Sequence, residues 1–270
     1  MKFEWNVTDE EYRADPALNF HTLARFHRDP RVFKENEFED VETDAMRFGS
    51  AFHARLLTPD LYKEVAVFSP PINPKTGEPY GVATKAYKET HEAFVADHKL
   101  VISESEAATI ERMITEFNLH PEAPKLLQGT IATEQPIRSV LNTSLGEVAV
   151  KGKIDAYTSA GLVDVKTTAN FDDASGRDKF RYQIYDYKYI VQLAFYRRIL
   201  GTNDKCWLLA FEKNTPNRVA VYAIADEVIE SANAVIDCWL YQWKLAETGV
   251  YKSKYDDLII IDQYDPLKDM

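Results

Sequence analysis

Gly152-Lys-Ile-Asp155-Ala-Tyr-Thr-Ser-Ala-Gly161-Leu-Val-Asp164-Val-Lys166-Thr-Thr168 alternates apolar and polar side chains on both sides of a short turn. A period of two is the mark of a strand with one buried face. Before the turn Val148, Val150 and Ile154 alternate with Lys151, Lys153 and Asp155. After it Leu162, Asp164 and Lys166 share one face, and Val163 and Val165 the other. Asp164 and Lys166 therefore emerge side by side, and the turn brings Asp155 across from them. Two carboxylates converging on a strand pair make a hard-oxygen site suited to Mg²⁺, which takes one or two carboxylates with water and phosphate oxygens. A lysine beside them can orient or deprotonate a water and offset phosphate charge. A surface hairpin carries the same alternation, so Asp164 and Lys166 alone do not separate the two. Asp164 is expected to face the surface and to contribute little to the core.

Outward from this hairpin, strands are expected over 133–142, 146–158 and 162–168, with turns at 142–146 and 159–161. A helix over 183–200 ends at Gly201, the usual residue just past a helix. A strand pair at 206–213 and 218–224 flanks Asn214-Thr-Pro-Asn217. The helix at 226–247 places Val228, Ile229, Ala232, Val235, Ile236, Trp239 and Leu240 on one stripe. Upstream, 1–60 reads as helices and short connections, with a helix at 45–57 stopped by Thr58-Pro59. The stretch 68–81 holds four prolines and two glycines and reads as a long exposed loop. Helices follow at 84–99 and 103–119, the second opened by Ser103 and Glu106 at capping-box spacing. This order predicts an α/β fold, a mixed β-sheet flanked by helices. One domain over 1–270 is expected: a mainly helical part at 1–130, a sheet-and-helix part at 131–224, and a C-terminal helix and tail at 225–270.

Composition narrows the classes. No stretch approaches the roughly 18 apolar residues of a membrane span. The opening MKFEWNVTDEEY lacks the apolar core of a signal peptide, and Cys206 and Cys238 fit neither a disulfide framework nor a four-cysteine metal site. A cytoplasmic location is expected. The chain carries 32 Lys and Arg against 43 Asp and Glu, net −11, which speaks against nonspecific coating of nucleic acid. It leaves room for a locally basic channel.

Three further features bear on the hairpin. Gln192 and Tyr196 are four apart on a helix and share a face. His53 lies on the early helix one turn after Gly49, where it reads either as a ligand or as an ordinary core or surface histidine. Glu134, at the head of the first strand, reads as a solvated strand-end charge or as a weaker site candidate. In order, Phe48-Gly49-x-x-x-His53, Gly152-x-Ile-Asp155, Val163-Asp164-Val-Lys166-Thr and Gln192-x-x-x-Tyr196 resemble the RecB-like branch of the PD-(D/E)XK nucleases. Leu18-Asn-Phe-His-Thr-Leu-Ala-Arg-Phe-His-Arg-Asp-Pro30 and the loop at 73–90 are similar to RecE-type (exonuclease VIII-like) phage and prophage recombination exonucleases. The motifs span about 48–200; 225–270 carries none.

The resemblance implies a PD-(D/E)XK restriction-endonuclease-like core and a single nuclease domain. It implies Mg²⁺, replaceable by Mn²⁺, held by His53, Asp155, Asp164 and the Val165 carbonyl. Lys166 is implied to handle the water, with Asp155 and Asp164 beside it in catalysis, and Gln192 and Tyr196 to position the DNA. Such enzymes digest linear duplex 5′-to-3′ from its ends and pass a 3′ overhang to a single-strand annealing protein. They are typically ring-shaped homo-oligomers. The alternatives are a RecB-like endonuclease or structure-selective nuclease, and a catalytically silent DNA-end-binding scaffold. The absence of a Walker motif excludes a helicase–nuclease, and the cysteines of the iron–sulfur subgroup are missing. The segment 175–189 mixes Arg177, Lys179, Arg181 and Lys188 with four tyrosines, a composition that suits phosphates and exposed bases. Arg177 and Arg181 are its DNA-positioning candidates; a solvated loop leading into a helix that buries some of the tyrosines is the alternative.

Overall fold

The structure is a computed structural model that describes residues 3, 5–35, 43–251 and 256. Apart from Asp256, the expected tail beyond Tyr251 lies outside the described residues. Elements α1 (Asp9–Ala14), β1 (Leu18–Asn19), α2 (Phe20–Arg28), α3 (Pro30–Glu35), α4 (Asp44–Leu57) and α5 (Pro59–Tyr62) open the chain. Then come β2 (Ala66–Phe68), α6 (Lys85–Ala96), β3 (Val101–Ser103), α7 (Glu104–Leu119) and α8 (Ala123–Leu127). The hairpin strands are β4 (Thr130–Thr143), β5 (Gly146–Thr158) and β6 (Gly161–Thr168). They are followed by α9 (Lys179–Asp186), α10 (Tyr189–Leu200), β7 (Cys206–Glu212), β8 (Val219–Ile224) and α11 (Asp226–Glu247).

The central strands are apolar on both faces. Leu162, Cys206, Leu208 and Ala210 join α2, α10 and α11 in one core. Val163, Val165, Leu209 and Phe211 join α4, α7 and α8 in another. A sheet buried on both faces must be covered by helices twice over, and the fold is the mixed, helix-flanked α/β sheet that the element order predicts. β6 and β7 are parallel from Leu162↔Cys206 to Thr168↔Glu212. Parallel neighbours need a crossover connection, which α9 and α10 supply. β7 and β8 close the far edge antiparallel.

β5 is the strand that shapes the site. Along one edge it pairs with β4 from Thr143↔Gly146 to Thr130↔Thr158. Its other edge is shared. β1 takes it at Leu18↔Val150 and Asn19↔Lys151, and β6 takes it from Ala156↔Val163 to Thr158↔Gly161. Between these two contacts, residues 152–155 have no strand partner on that edge among the described residues.

Several expectations are corrected. The single helix over 183–200 is two, because Lys188 adopts a left-handed φ of 61° between α9 and α10. No glycine or proline marks that break; Phe180 and Ile184 on α9 and Ile190 and Val191 on α10 are all drawn into one core, and the chain turns to satisfy both. A short parallel pair, β2 with β3, stands where no strand is expected. The stripe of α11 is narrower than expected: Ile229, Ala232, Ile236, Trp239 and Leu240 are buried, and Val228 and Val235 flank it in solvent. The capping box at Ser103 and Glu106 is formed, and the stretch after Phe68 runs irregularly to Thr84.

Gly161 makes the β5–β6 turn at φ 118°, and a Cβ there would overlap the Lys205 carbonyl oxygen. That carbonyl accepts from the Leu162 N–H at 2.9 Å, so it cannot withdraw without losing a sheet contact. Backbone strain and overlap together predict that Gly161→Ala destabilises the fold by about 3 kcal/mol. Urea unfolding measures this; a midpoint equal to that of the wild type would show that the 204–205 loop moves aside freely.

Candidate metal centre

The β4–β5 pairs Thr133↔Ala156 and Gln135↔Ile154 bracket Glu134 and Asp155. One step past Ala156↔Val163, Asp155 comes beside Asp164 of β6. Three carboxylates thus stand in a row across three neighbouring strands. Glu134 reaches this row with a left-handed φ of 47°, a conformation that costs a non-glycine residue on the order of 1–3 kcal/mol and concentrates at functional sites.

His53 comes from the other layer. Phe48, Ala51 and Phe52 seat α4 in the second core, which aims the His53 ring at β6. Its Nε2 lies 3.2 Å from the Val165 carbonyl oxygen. Its Nδ1 lies 3.4 Å from Glu134 Oε1 and 3.8 Å from Asp155 Oδ1. Asp155 Oδ2 accepts from the Val165 N–H at 2.6 Å. Single ligand atoms of His53, Glu134 and Asp155 all lie within 4.8 Å of one another, a spacing able to hold one metal ion. A Cβ on Gly49 would stand 4.0 Å from Thr167 Oγ1, an ordinary contact, so packing within the chain does not itself demand glycine there.

The charges are mutually supporting. Burial works against a charged His53 ring, but the Asp155 and Glu134 carboxylates outweigh it and push its pKa up to about 8. Burial pushes Asp155 up to about 6; His53 and Lys166 oppose this, and the Asp164 and Glu134 charges add to it. Glu134 is held below its usual range against burial by His53 and by Lys153, whose Nζ lies 3.2 Å from Glu134 Oε2. Glu134 Oε1 and Asp164 Oδ2 are buried, each met by a single cationic group, His53 Nδ1 at 3.4 Å and Lys166 Nζ at 2.8 Å. One imidazole, carboxylates and a backbone carbonyl fit a small divalent cation, and Mn²⁺ accepts the imidazole more readily than Mg²⁺ does.

Asp164 is not a surface carboxylate, as its alternation suggests. It is 2 % exposed, because β6 is covered on both faces. It turns from the His53 group toward Lys166, whose Nζ is 2.8 Å from Asp164 Oδ2. Burial opposes the Lys166 charge, but Asp164 and Asp155 hold its pKa above the usual lysine range, so Lys166 is an ammonium that donates. It donates to Gln192 Oε1 at 3.1 Å, and Gln192 Nε2 donates to the Tyr196 hydroxyl at 3.0 Å. Gln192 and Tyr196 are buried, so they lie beneath Lys166 and do not line an open groove. Gly152 admits the Tyr196 ring; a Cβ there would come within 2.6 Å of it.

Arg177 and Arg181 stand apart from this centre. Arg177 Nε pairs with Asp173 Oδ2 at 2.8 Å in an exposed loop, and Arg181 is exposed on α9. Glu134, a weaker candidate in the sequence, joins the row because of β4–β5 register. Lys153 and Tyr189 (its ring centroid 4.8 Å from Lys166 Nζ) carry no motif at all. The signal for Lys153 is strand pairing, visible once register is known, and that for Tyr189 is its place in the tyrosine-rich stretch at 175–189.

A family model described as a PDDEXK-like domain of unknown function (DUF3799) matches residues 31–249. A solved structure of a proposed exonuclease from Eubacterium rectale is similar at 15% identity, with a TM-score of 0.62 over 98% of each chain. A phage-related exonuclease from Haemophilus somnus 129PT matches at 11% identity, with a TM-score of 0.32 over 67% of this chain and 91% of that one. No curated protein matches in sequence. Among the described residues no helix is long and apolar enough to cross a membrane.

A metal ion competes with protons for these ligands. Near pH 7 His53, with a pKa of about 8, is charged and Asp155, at about 6, is mostly ionised. Mn²⁺ binding at about pH 7 is expected to release about one proton, more at lower pH as Asp155 is titrated, and almost none near pH 9. Calorimetry in buffers of different ionisation enthalpy counts those protons. No release at pH 7 would remove His53 from the ligand set.

Proposed function

The chain belongs to the PDDEXK-like family whose model spans residues 31–249, and from that premise we propose that it is a metal-dependent deoxyribonuclease acting on linear duplex DNA from its ends. The observation that carries this reading is the adjacency of the His53–Glu134–Asp155 group to the buried Asp164–Lys166–Gln192 chain. We assign Mg²⁺, with Mn²⁺ as a substitute, to His53, Asp155, Asp164 and the Val165 carbonyl, and add Glu134. Such an ion polarises a phosphate and makes a bound water more acidic.

The chain's own residues supply the rest. Hydrolysis adds water across one P–O bond, so the attacking oxygen gives up a proton and the leaving oxygen gains one. Lys166, held as an ammonium, donates to the water or to a phosphate oxygen and does not begin as the base. Gln192 fixes the Lys166 ammonium, and Tyr196 fixes Gln192; their buried places favour this support over direct contact with DNA. Arg177 and Arg181, being exposed, are the phosphate contacts of the model we favour. We further propose that the enzyme is RecE-like: a cytoplasmic single-domain nuclease that digests 5′-to-3′ within a homo-oligomeric ring. The 3′ overhangs would serve recombination by strand annealing with a partner annealing protein.

Digestion of end-labelled linear duplex, with closed circular duplex as control and with Mg²⁺ present or withheld, tests activity, metal and polarity together. We expect loss of the 5′ label first, linear substrate only, and no digestion without metal. Cutting of circles points to the endonuclease, and metal binding without cleavage to the silent scaffold. Asp164→Asn keeps the volume beside Lys166 and is expected to lower turnover by at least about a hundredfold while the protein stays folded. Wild-type turnover in that variant overturns the assignment.

A further inference from the structure

A short aromatic path leads from the site to solvent. The Lys166 ammonium lies 4.8 Å from the centroid of the Tyr189 ring, and that ring is 5.7 Å from Tyr187 at 46°. Tyr189 is half-buried, with Phe180 against it at 6.3 Å, so its position is fixed by the core. Tyr187 is 59% exposed, and Tyr182 and Tyr185 on α9 are 65% and 57% exposed. Leaving three tyrosine rings of one short stretch in water is costly, because each gives up a large apolar burial.

The break between α9 and α10 creates this arrangement. Phe180 and Ile184 pin the inner face of α9. The left-handed Lys188 then turns the chain so that Tyr187 and Tyr189, on its two sides, remain in ring contact. A non-glycine residue in that conformation is uncommon. The surroundings carry a small excess of cations: residues 177–189 hold Arg177 (paired with Asp173), Lys179, Arg181 and Lys188 against Asp178 and Asp186, in a chain whose net charge is −11.

Resting on the nuclease reading above, we infer that Tyr187 and Tyr189 form a stacking site for an unpaired nucleobase next to the phosphate held at Lys166. The occupant is a base flipped or frayed from the strand being cut. A phosphate at the ammonium leaves its neighbouring base one sugar away, over the two rings. Rings stack on any base, and the cations beside them hold the backbone without reading sequence. A base inside the duplex is covered on both faces and a terminal pair brings its partner base with it, whereas a base out of the helix can reach Tyr187 alone. The favoured substrate is therefore a strand end with at least one nucleotide out of the helix.

The test measures affinity of the full chain, in Ca²⁺ to withhold cleavage, for a duplex with a short unpaired end and for the same duplex with abasic sugars in that end. Wild type is expected to prefer the intact bases by about tenfold or more. Tyr187→Ala should bring the ratio close to one, and Tyr187→Phe should keep it, since stacking needs the ring and not the hydroxyl. Because Tyr187 is largely in solvent, both variants should fold like the wild type, which far-UV circular dichroism and an unchanged melting temperature check. A wild-type ratio near one, or a ratio that Tyr187→Ala leaves unchanged, overturns the stacking site even if end-labelled duplex is digested as proposed. Failure to bind or digest any duplex removes the nuclease reading and this inference with it.

Discussion

A strand has two edges, and β5 divides one of them between two partners. β1 holds it up to Lys151 and β6 takes it from Ala156, which leaves residues 152–155 without a strand neighbour on that side among the described residues. Buried backbone groups without partners are costly, so the gap is sustained by what fills it. The Val165 N–H, which a continued ladder would give to the backbone, donates to the Asp155 carboxylate. The Tyr196 ring lies over Gly152, where a strand neighbour is missing. The gap and the site are one feature: Asp155 sits in it, and β6 splays from β5 at the point where Asp164 and Lys166 begin.

Collecting carboxylates there is electrostatically expensive. Glu134, Asp155 and Asp164 lie on consecutive strands, partly or wholly buried, and the rise of Asp155 to about 6 records burial first and the charges of Asp164 and Glu134 second. The compensation comes from three sides. His53 arrives from α4, Lys153 from the next outward position on β5, and Lys166 from β6. His53 and Lys153 both answer Glu134, His53 also faces Asp155, and Lys166 answers Asp164, while Glu134 carries a strained backbone besides. A fold does not concentrate like charge for its own stability. The arrangement makes sense as a site kept ready for a cation that neutralises it, with stability given up for readiness.

Much of this was legible in the chain. Period-two alternation around Gly161 predicted β5 and β6, and the spacing of Gln192 and Tyr196 predicted that the two share a face, as their hydrogen bond shows. What could not be read was register. The contact of Glu134 with His53 depends on β4 pairing Thr133 with Ala156, and no local pattern in 130–143 encodes that partner. Burial misled in the same way. Asp164 alternates with valines like a residue facing solvent, but its strand is central, and a central strand has no solvent side. The break at Lys188 escaped notice because it is imposed by two sets of core contacts and not by a helix-breaking residue.

Net charge is the remaining tension, since a chain at −11 repels a polyanion at long range. The tension is smaller than the total suggests. The carboxylate row adds little to it, since His53, Lys153 and Lys166 already meet it, and a bound cation would make the site attract phosphate. The stretch that reaches the site through Tyr189 is rich in exposed rings and carries a small excess of cations. Stacking does not weaken with salt as phosphate pairing does. A nuclease that grips one displaced nucleotide by its base, and one phosphate by Lys166 and a metal ion, needs few further cations along the duplex. Under the proposed function, an acidic surface would keep the flanks of the duplex from binding anywhere except where an end can open.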